Sequence, residues 1–184
     1  MDATNHPADE EKTPHPNPPP GVPGGGDQIC YVALGSNLGD RRENISRAVE
    51  KLRETPGVTV LRVSMLLDNP AIGGPEQSPS FLNAVAEIRT MIPPLALLHR
   101  LLEIENQMGR VRREKWEPRE IDLDLILYGN QIIQTDELTV PHPLMHQRRF
   151  VLQPLAQLRP DLIHPTQGIR VTDLLHHLPK GEPL

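Results

Sequence analysis

Two aspartates stand out in the run Ile121-Asp122-Leu123-Asp124-Leu125-Ile126-Leu127. The composition of residues 120–128 predicts an extended strand. On a strand, residues two apart point to the same face, roughly 6.5–7 Å apart. Asp122 and Asp124 are therefore expected on one face, with Ile121, Leu123 and Leu125 on the other. Two carboxylates side by side repel each other unless they are solvated, one is protonated, or a cation sits between them. Oxygen-only ligands of this kind suit Mg²⁺, which takes one or two carboxylates plus waters and substrate phosphates. Taken alone, an Asp-x-Asp is equally a strand face in plain water.

The preceding loop changes that balance. It carries Arg110, Arg112, Arg113, Lys115 and Arg119 against Glu114 and Glu117. Guanidiniums beside a metal-type carboxylate pair would together clamp a polyphosphate. Trp116, the only tryptophan, lies in this loop and reads as a lid or stacking residue rather than a core one. The chain has two phenylalanines, Phe81 and Phe150, so the core is left to Leu, Ile and Val. Rings not needed for the core can stack on a flat ligand, although ordinary packing is the simpler account. Asn83 falls on the same strand face as Phe81, where an amide could read the hydrogen-bonding edge of a heterocycle. His142 is held between Pro141 and Pro143, which keep it out of a central strand. Arg148 and Arg149 follow. There is no Gly-x-x-x-x-Gly-Lys-Ser/Thr loop, no kinase signature set and no His-Glu-x-x-His. A bound nucleotide would be held by metal and arginines rather than by a glycine cradle.

These groups need a scaffold. Ile29 to Leu34 is apolar at every position and predicts a strand covered on both faces. The turn-rich Gly35 to Asp40 follows, with Asp40 as helix N-cap and Ile45, Ala48, Val49 and Leu52 at helical spacing up to about Glu54. Residues 58–65 predict a second strand, 68–79 a long loop, and Phe81 to Arg89 a third strand. Pro93-Pro94 opens a helix that runs to about Met108, with Gly109 as terminator. After the 120–128 strand and a Gly129-Asn130 turn, Gln131 to Ile133 is expected to pair back as a hairpin. Short helices are predicted over 150–158 and 172–178. The order β-α-β-β-α-β predicts an α+β sandwich of ferredoxin-like type, with helices on one face of an antiparallel sheet and an additional C-terminal hairpin and helices.

The chain has 184 residues and a net charge of −5. Residues 1–27 hold seven of the 21 prolines and almost no large apolar side chain. Such a stretch cannot offset the entropy of ordering it, so a disordered tail is expected, with one domain over 28–184. Outside the tail the charges nearly balance, which argues against a duplex-binding protein. The single cysteine, Cys30, excludes a disulfide framework and is expected to be buried and inert. With no apolar run long enough to span a bilayer and no signal-type N-terminus, a cytoplasmic chain without membrane contact is expected.

Several separate motifs resemble one family. They are residues 32–39 with Asn44, residues 81–85, Glu105 with residues 109–112, residues 116–119, residues 122–124, and residues 140–143 with Arg148 and Phe150. Together, and in this order, they resemble the hydroxymethyl-dihydropterin pyrophosphokinases of folate synthesis from about Ile29 to Pro165. The resemblance implies transfer of the β,γ-diphosphate of ATP to the hydroxymethyl group of a reduced pterin, with release of AMP. It implies two Mg²⁺ ions on Asp122 and Asp124, and Arg110 and Arg119 assisting transfer. ATP would meet Arg112, Trp116, Thr139, His142 and Arg148. The pterin would meet Ile72, Phe81, Asn83, Trp116 and Phe150, stacked between the two Phe rings with Asn83 at its edge. A monomer acting on these small molecules is expected, with no nucleic-acid partner. The sequence departs from the family at Asn69 and Ala71, where members commonly have Thr and Pro. A non-catalytic ferredoxin-like ligand-binding or regulatory module is the alternative; an RNA-binding sheet would need more aromatics.

Overall fold

A computed structural model of the chain describes residues 26–69, 79–109 and 119–179. The proline-rich residues 1–25 lie outside it, so the expected tail is not described. A five-stranded antiparallel sheet forms the centre: β1 (Gln28–Ser36), β2 (Val58–Val63), β3 (Leu67–Asn69), β4 (Phe81–Thr90) and β5 (Asp122–Tyr128). The order across it is β2-β4-β1-β5, and β3 also pairs with β4. Helices α1 (Arg41–Glu54) and α2 (Pro94–Gln107) cover one face. This is the predicted βαββαβ order, and the first two helices share a face as expected. Helices α3 (Arg149–Leu158) and α4 (Val171–His177) add a layer on the opposite face.

Local signals in the sequence set these elements. Asp40 Oδ1 accepts the Glu43 N–H at 3.0 Å and starts α1. Pro94 occupies the first turn of α2, where a missing N–H costs nothing. The continuous apolar run of β1 is explained by its place: Cys30, Val32 and Leu34 face the α1 and α2 layer, and Tyr31 faces α3 and α4. Burial pushes the Cys30 thiol up to about 12, so it is inert as expected.

Two expectations are corrected. The loop predicted over 68–79 does not begin at 68, because Leu67–Asn69 pairs with Asn83, Leu82 and Phe81 of β4. Ser64 carries the ladder across the gap from β2. Its N–H donates to the Val85 carbonyl at 2.9 Å and its Oγ accepts the Val85 N–H at 3.0 Å. The hairpin after β5 also differs. Residues 131–133 do not fold back onto β5; Ile133–Gln134 (β6) pairs with Thr139–Val140 (β7). The Thr135 Oγ1 accepts the Leu138 N–H at 3.0 Å and closes this tighter turn, which outcompetes pairing to β5.

Two ionic ties fix the site's surroundings. Arg41, at the start of α1, donates to both carboxylate oxygens of Asp68 at 3.2 Å, and to the Ser80 carbonyl and Oγ at 2.9 and 2.7 Å. These bonds hold the Asp68 carboxyl below its ordinary range, Arg41 first and Ser80 next. Glu87 of β4 is 1 % exposed and accepts from Arg62 on one oxygen and from Arg159 on the other. Arg159 follows α3 directly, so this carboxylate anchors the far end of the helix that begins at Arg149. Removing both arginines would strand a buried charge. The Arg62→Ala/Arg159→Ala variant is expected to lose about 3–5 kcal/mol of stability. Glu87→Gln leaves only half-exposed guanidiniums that can turn to water, and is expected to lose less. Urea unfolding midpoints of the two variants check that order.

Candidate active site

The C-terminal end of β1 lies between the N-terminal ends of β4 and β5. The registers set Gly35 opposite Asn83 on one side and Asp122 on the other, and Ala33 opposite Val85 and Asp124. Cross-strand partners share a face, so Asn83, Gly35 and Asp122 form one row and Val85, Ala33 and Asp124 the next. At the usual strand spacing, the row from Asn83 to Asp122 spans roughly 10 Å between Cα atoms. Phe81 lies on the same face as Asn83, two residues earlier. This is the face that α3 covers, and Phe150, in the first turn of α3, packs against that layer. Gly35 keeps the middle of the row open. A Cβ there would lie 3.2 Å from Asn83 Oδ1 and 3.7 Å from Phe81 Cδ1.

Asp122 and Asp124 are half-buried while Ile121, Leu123 and Leu125 are buried, the division expected from their spacing. Arg119 Nη1 donates to Asp122 Oδ2 at 3.1 Å. The backbone of Arg119 is held in turn by Asn37. Its N–H donates to Asn37 Oδ1 at 2.8 Å, and its carbonyl accepts the Asn37 N–H at 3.2 Å. Asn44 secures that turn by donating to the Leu38 carbonyl at 2.9 Å and to Ser36 Oγ at 3.3 Å. On the other side, the buried Glu105 of α2 accepts the Leu123 N–H at 2.6 Å. The short peptide that carries both aspartates is thus held from two directions.

His142 follows a buried cis Val140–Pro141 bond, and its N–H donates to the Ile126 carbonyl at 2.9 Å. Its Nδ1 accepts the Leu144 N–H at 3.2 Å, which leaves the ring proton on Nε2. Burial, and then the charge of Arg148, push the imidazole down to about 4, while Asp122 pulls the other way. His142 therefore stands within the fields of both Arg148 and Asp122. The Arg148 guanidinium carbon sits 5.6 Å from the centre of the Phe150 ring. Thr139 is exposed on β7, a strand that packs beside β5.

Of the residues singled out in the sequence, Phe81, Asn83, Arg119, Asp122, Asp124, His142, Arg148 and Phe150 gather around one sheet end, with Thr139 beside them. Ile72, Arg110, Arg112 and Trp116 lie outside the described residues. Sequence reasoning gave no task to Glu105, Asn37 or Asn69. Its place in a family motif and its position as a carboxylate inside the apolar stripe of α2 were the available signals for Glu105. Among the described residues no three His, Cys, Asp or Glu side chains converge as a metal cage. The donor set is two carboxylates on one face. That set fits a hard divalent cation completed by waters and phosphate oxygens.

Residues 31–160 match the family described as 7,8-dihydro-6-hydroxymethylpterin-pyrophosphokinase (HPPK). The chain belongs to this family. It is 44% identical over 130 residues to the 2-amino-4-hydroxy-6-hydroxymethyldihydropteridine pyrophosphokinase of Bacillus subtilis, covering 71% of this chain and 77% of that one. To the enzyme of the same name from Haemophilus influenzae it is 41% identical, covering 79% of this chain and 90% of that one. The fold is similar to wild-type Plasmodium falciparum HPPK-DHPS with pteroate, with a TM-score of 0.64 at 13% identity. That match covers 82% of this chain, which spans 44% of the solved chain.

The HPPK-family site makes a prediction for His142. With its folded value near 4 and an unfolded value of about 6.5, the unfolded chain binds the extra proton first. The contribution of neutral His142 to stability is full above about pH 6.5 and is lost as pH falls from there towards 4. A carbon-detected NMR titration of the His142 ring should show no midpoint above pH 5.

Proposed function

We propose that this chain transfers the β,γ-diphosphate of ATP to the hydroxymethyl group of 6-hydroxymethyl-7,8-dihydropterin, releasing AMP, at the sheet end built by β1, β4 and β5. This is the pyrophosphokinase reaction of the family to which the chain belongs, a step of folate synthesis. The chain is an enzyme, an ATP-dependent diphosphotransferase. The row Asn83–Gly35–Asp122 carries the reading. It sets an amide and an aromatic ring, suited to a heterocycle, one strand away from an acidic pair suited to a metal-bound phosphate chain. A binding module has no need of that second half.

The pterin lies flat between Phe81 and Phe150, with Asn83 at its hydrogen-bonding edge and Gly35 leaving the ring room. The family resemblance would add Ile72 and Trp116 to that pocket. ATP lies along the other half, met by Thr139, His142 and Arg148, to which the family resemblance would add Arg112 and Trp116. Neutral His142 can offer its Nε2–H to a phosphate or sugar oxygen without adding charge. Two Mg²⁺ ions bound by Asp122 and Asp124 would neutralise the phosphate oxygens and make the β-phosphorus more electrophilic. The pterin hydroxyl oxygen attacks that phosphorus, and its proton passes to solvent water. The bond to the α,β-bridging oxygen breaks, and its electron pair departs with AMP. Arg119 faces the charge that builds on the departing side, and the family resemblance would bring Arg110 to it as well. The acceleration comes mainly from alignment and charge neutralisation. We take the chain to act as a monomer. Both substrates are soluble, and the cytoplasm is the compartment where they meet.

Purified chain mixed with ATP, Mg²⁺ and the hydroxymethyl-dihydropterin is expected to release AMP, and chromatography of the nucleotides reads it. ADP in place of AMP would overturn the reading. Asp122→Asn and Asp124→Asn are each expected to abolish AMP release with circular dichroism unchanged; full turnover in either variant would remove the metal role. Arg119→Ala is expected to lower kcat on the order of 10²-fold or more with pterin binding little changed. An unaltered kcat would reject its part in transfer.

A further inference from the structure

An amide pair sits at the edge of the heterocycle pocket. Asn69 ends β3, and Asn83 is the third residue of β4. The two are 3% and 6% exposed. Asn83 Nδ2 donates to Asn69 Oδ1. β3 and β1 flank β4 on opposite sides. The Asn83 carboxamide therefore lies across the sheet face. Its nitrogen end turns to β3, and its oxygen end turns to β1, where a Cβ on Gly35 would come within 3.2 Å of Oδ1.

A carboxamide has two ends of nearly equal shape and opposite chemistry. Half a turn about its last torsion exchanges donor for acceptor with little steric cost. A buried Asn that must read a ligand needs that rotation fixed by a neighbour. If Asn83 rotated while Asn69 stayed as it is, two oxygens would face each other in a buried site and this bond would be lost.

The position of Asn69 is itself determined from both faces of its strand. Side chains alternate along β3, so Asp68 points away from Asn69. On that opposite side Arg41 grips Asp68 with two hydrogen bonds and ties it to Ser80. A three-residue strand at a sheet edge would otherwise be free to shift. Here it is clamped by a guanidinium on one side and by the amide pair on the other.

We propose that Asn69 is a positioning residue that locks the Asn83 carboxamide with Oδ1 and its second Nδ2–H available to the ligand, and so sets the order of donor and acceptor the pocket accepts. The complementary ligand feature is a lactam edge, an N–H beside a C=O, in one orientation only. The inference rests on the proposed meeting of Asn83 with the pterin. Asn69 does not touch the reacting atoms; its effect passes through Asn83.

Two substitutions separate this role from simple packing. Asn69→Asp keeps an acceptor opposite Asn83 Nδ2. Asn69→Leu keeps the volume and removes the acceptor. AMP release measured at pH 8 gives KM for each substrate. Asn69→Leu is expected to raise KM for the hydroxymethyl-dihydropterin tenfold or more and to leave KM for ATP within twofold. Asn69→Asp is expected to stay within threefold of the unaltered chain for both. Equilibrium binding of the pterin in the presence of Mg²⁺ and α,β-methylene ATP, whose carbon bridge replaces the bond that breaks, should follow the same order. Wild-type pterin affinity in Asn69→Leu overturns the inference, and so does an Asn69→Asp as weak as Asn69→Leu. If Asn69→Leu fails to fold, Asn69→Ala is read against the same thresholds. Failure of the underlying reading looks different: the unaltered chain then releases no AMP, or Asn83→Ala leaves pterin affinity untouched, and the inference falls with it. A pterin KM raised by Asn83→Ala but not by Asn69→Leu rejects the role of Asn69 alone.

Discussion

β1 is hydrogen-bonded to β4 on one side and to β5 on the other, and this double pairing decides which residues of three distant segments share a row. A slip of one residue on either side would turn Asp122 and Asp124, or Phe81 and Asn83, into the apolar layer beneath α1 and α2. The apolar residues Leu82, Ala84, Leu123 and Leu125 lock the register from that layer, because each is buried only in the observed pairing. The small residues of β1 matter equally. Ala33 and Gly35 leave the functional face low in the middle, between an aromatic-amide side and an acidic side. A packing constraint thus sets the spacing of two chemically different half-sites.

Within that frame, charge is placed and then held. Asp122 shares a guanidinium with Arg119, whose backbone is fastened to Asn37. Glu105 grips the peptide between the two aspartates from the α2 side. Such bonds fix the groups before any ligand arrives, so little reorganisation is left for the moment of reaction. At the other end of the same face, Glu87 with Arg62 and Arg159 pins the end of α3. Since Phe150 opens α3, this distant cluster fixes the helix that would supply one wall of the proposed pocket. Burial first and the Glu87 charge next push the Tyr31 hydroxyl up to about 12, against the pull of Arg159 and Arg62.

What could be read from the sequence was local. The facing of Asp122 with Asp124, and of Phe81 with Asn83, follows from alternation within one strand. The helix that starts at Asp40 and the one that starts at Pro94 announce themselves through capping chemistry. Residues that act through distant partners gave no such sign. Asn37 and Arg119 are 82 positions apart, and Glu105 reaches Leu123 across a turn of the chain. β3 was hidden because Asp68 and Asn69 are ordinary turn formers, and only the edge of β4 makes them a strand. Likewise, nothing in residues 131–133 tells that Thr135 will close a separate hairpin. The resemblance to the HPPK family grouped residues that no local rule connects, but it foretold none of these contacts, nor β3, nor the separate hairpin.

The grip of Arg41 on both Asp68 and Ser80 has an evolutionary side. One guanidinium gathers the two points where the chain leaves and rejoins the sheet around residues 70–78. With those points bolted to α1, the intervening stretch can be lengthened or rewritten for little more than the entropy of a larger ring, about 0.6 kcal/mol per doubling. Novelty introduced there does not propagate into the strands. The scaffold can therefore hold the spacing of its rows constant while the chain between those two anchors changes.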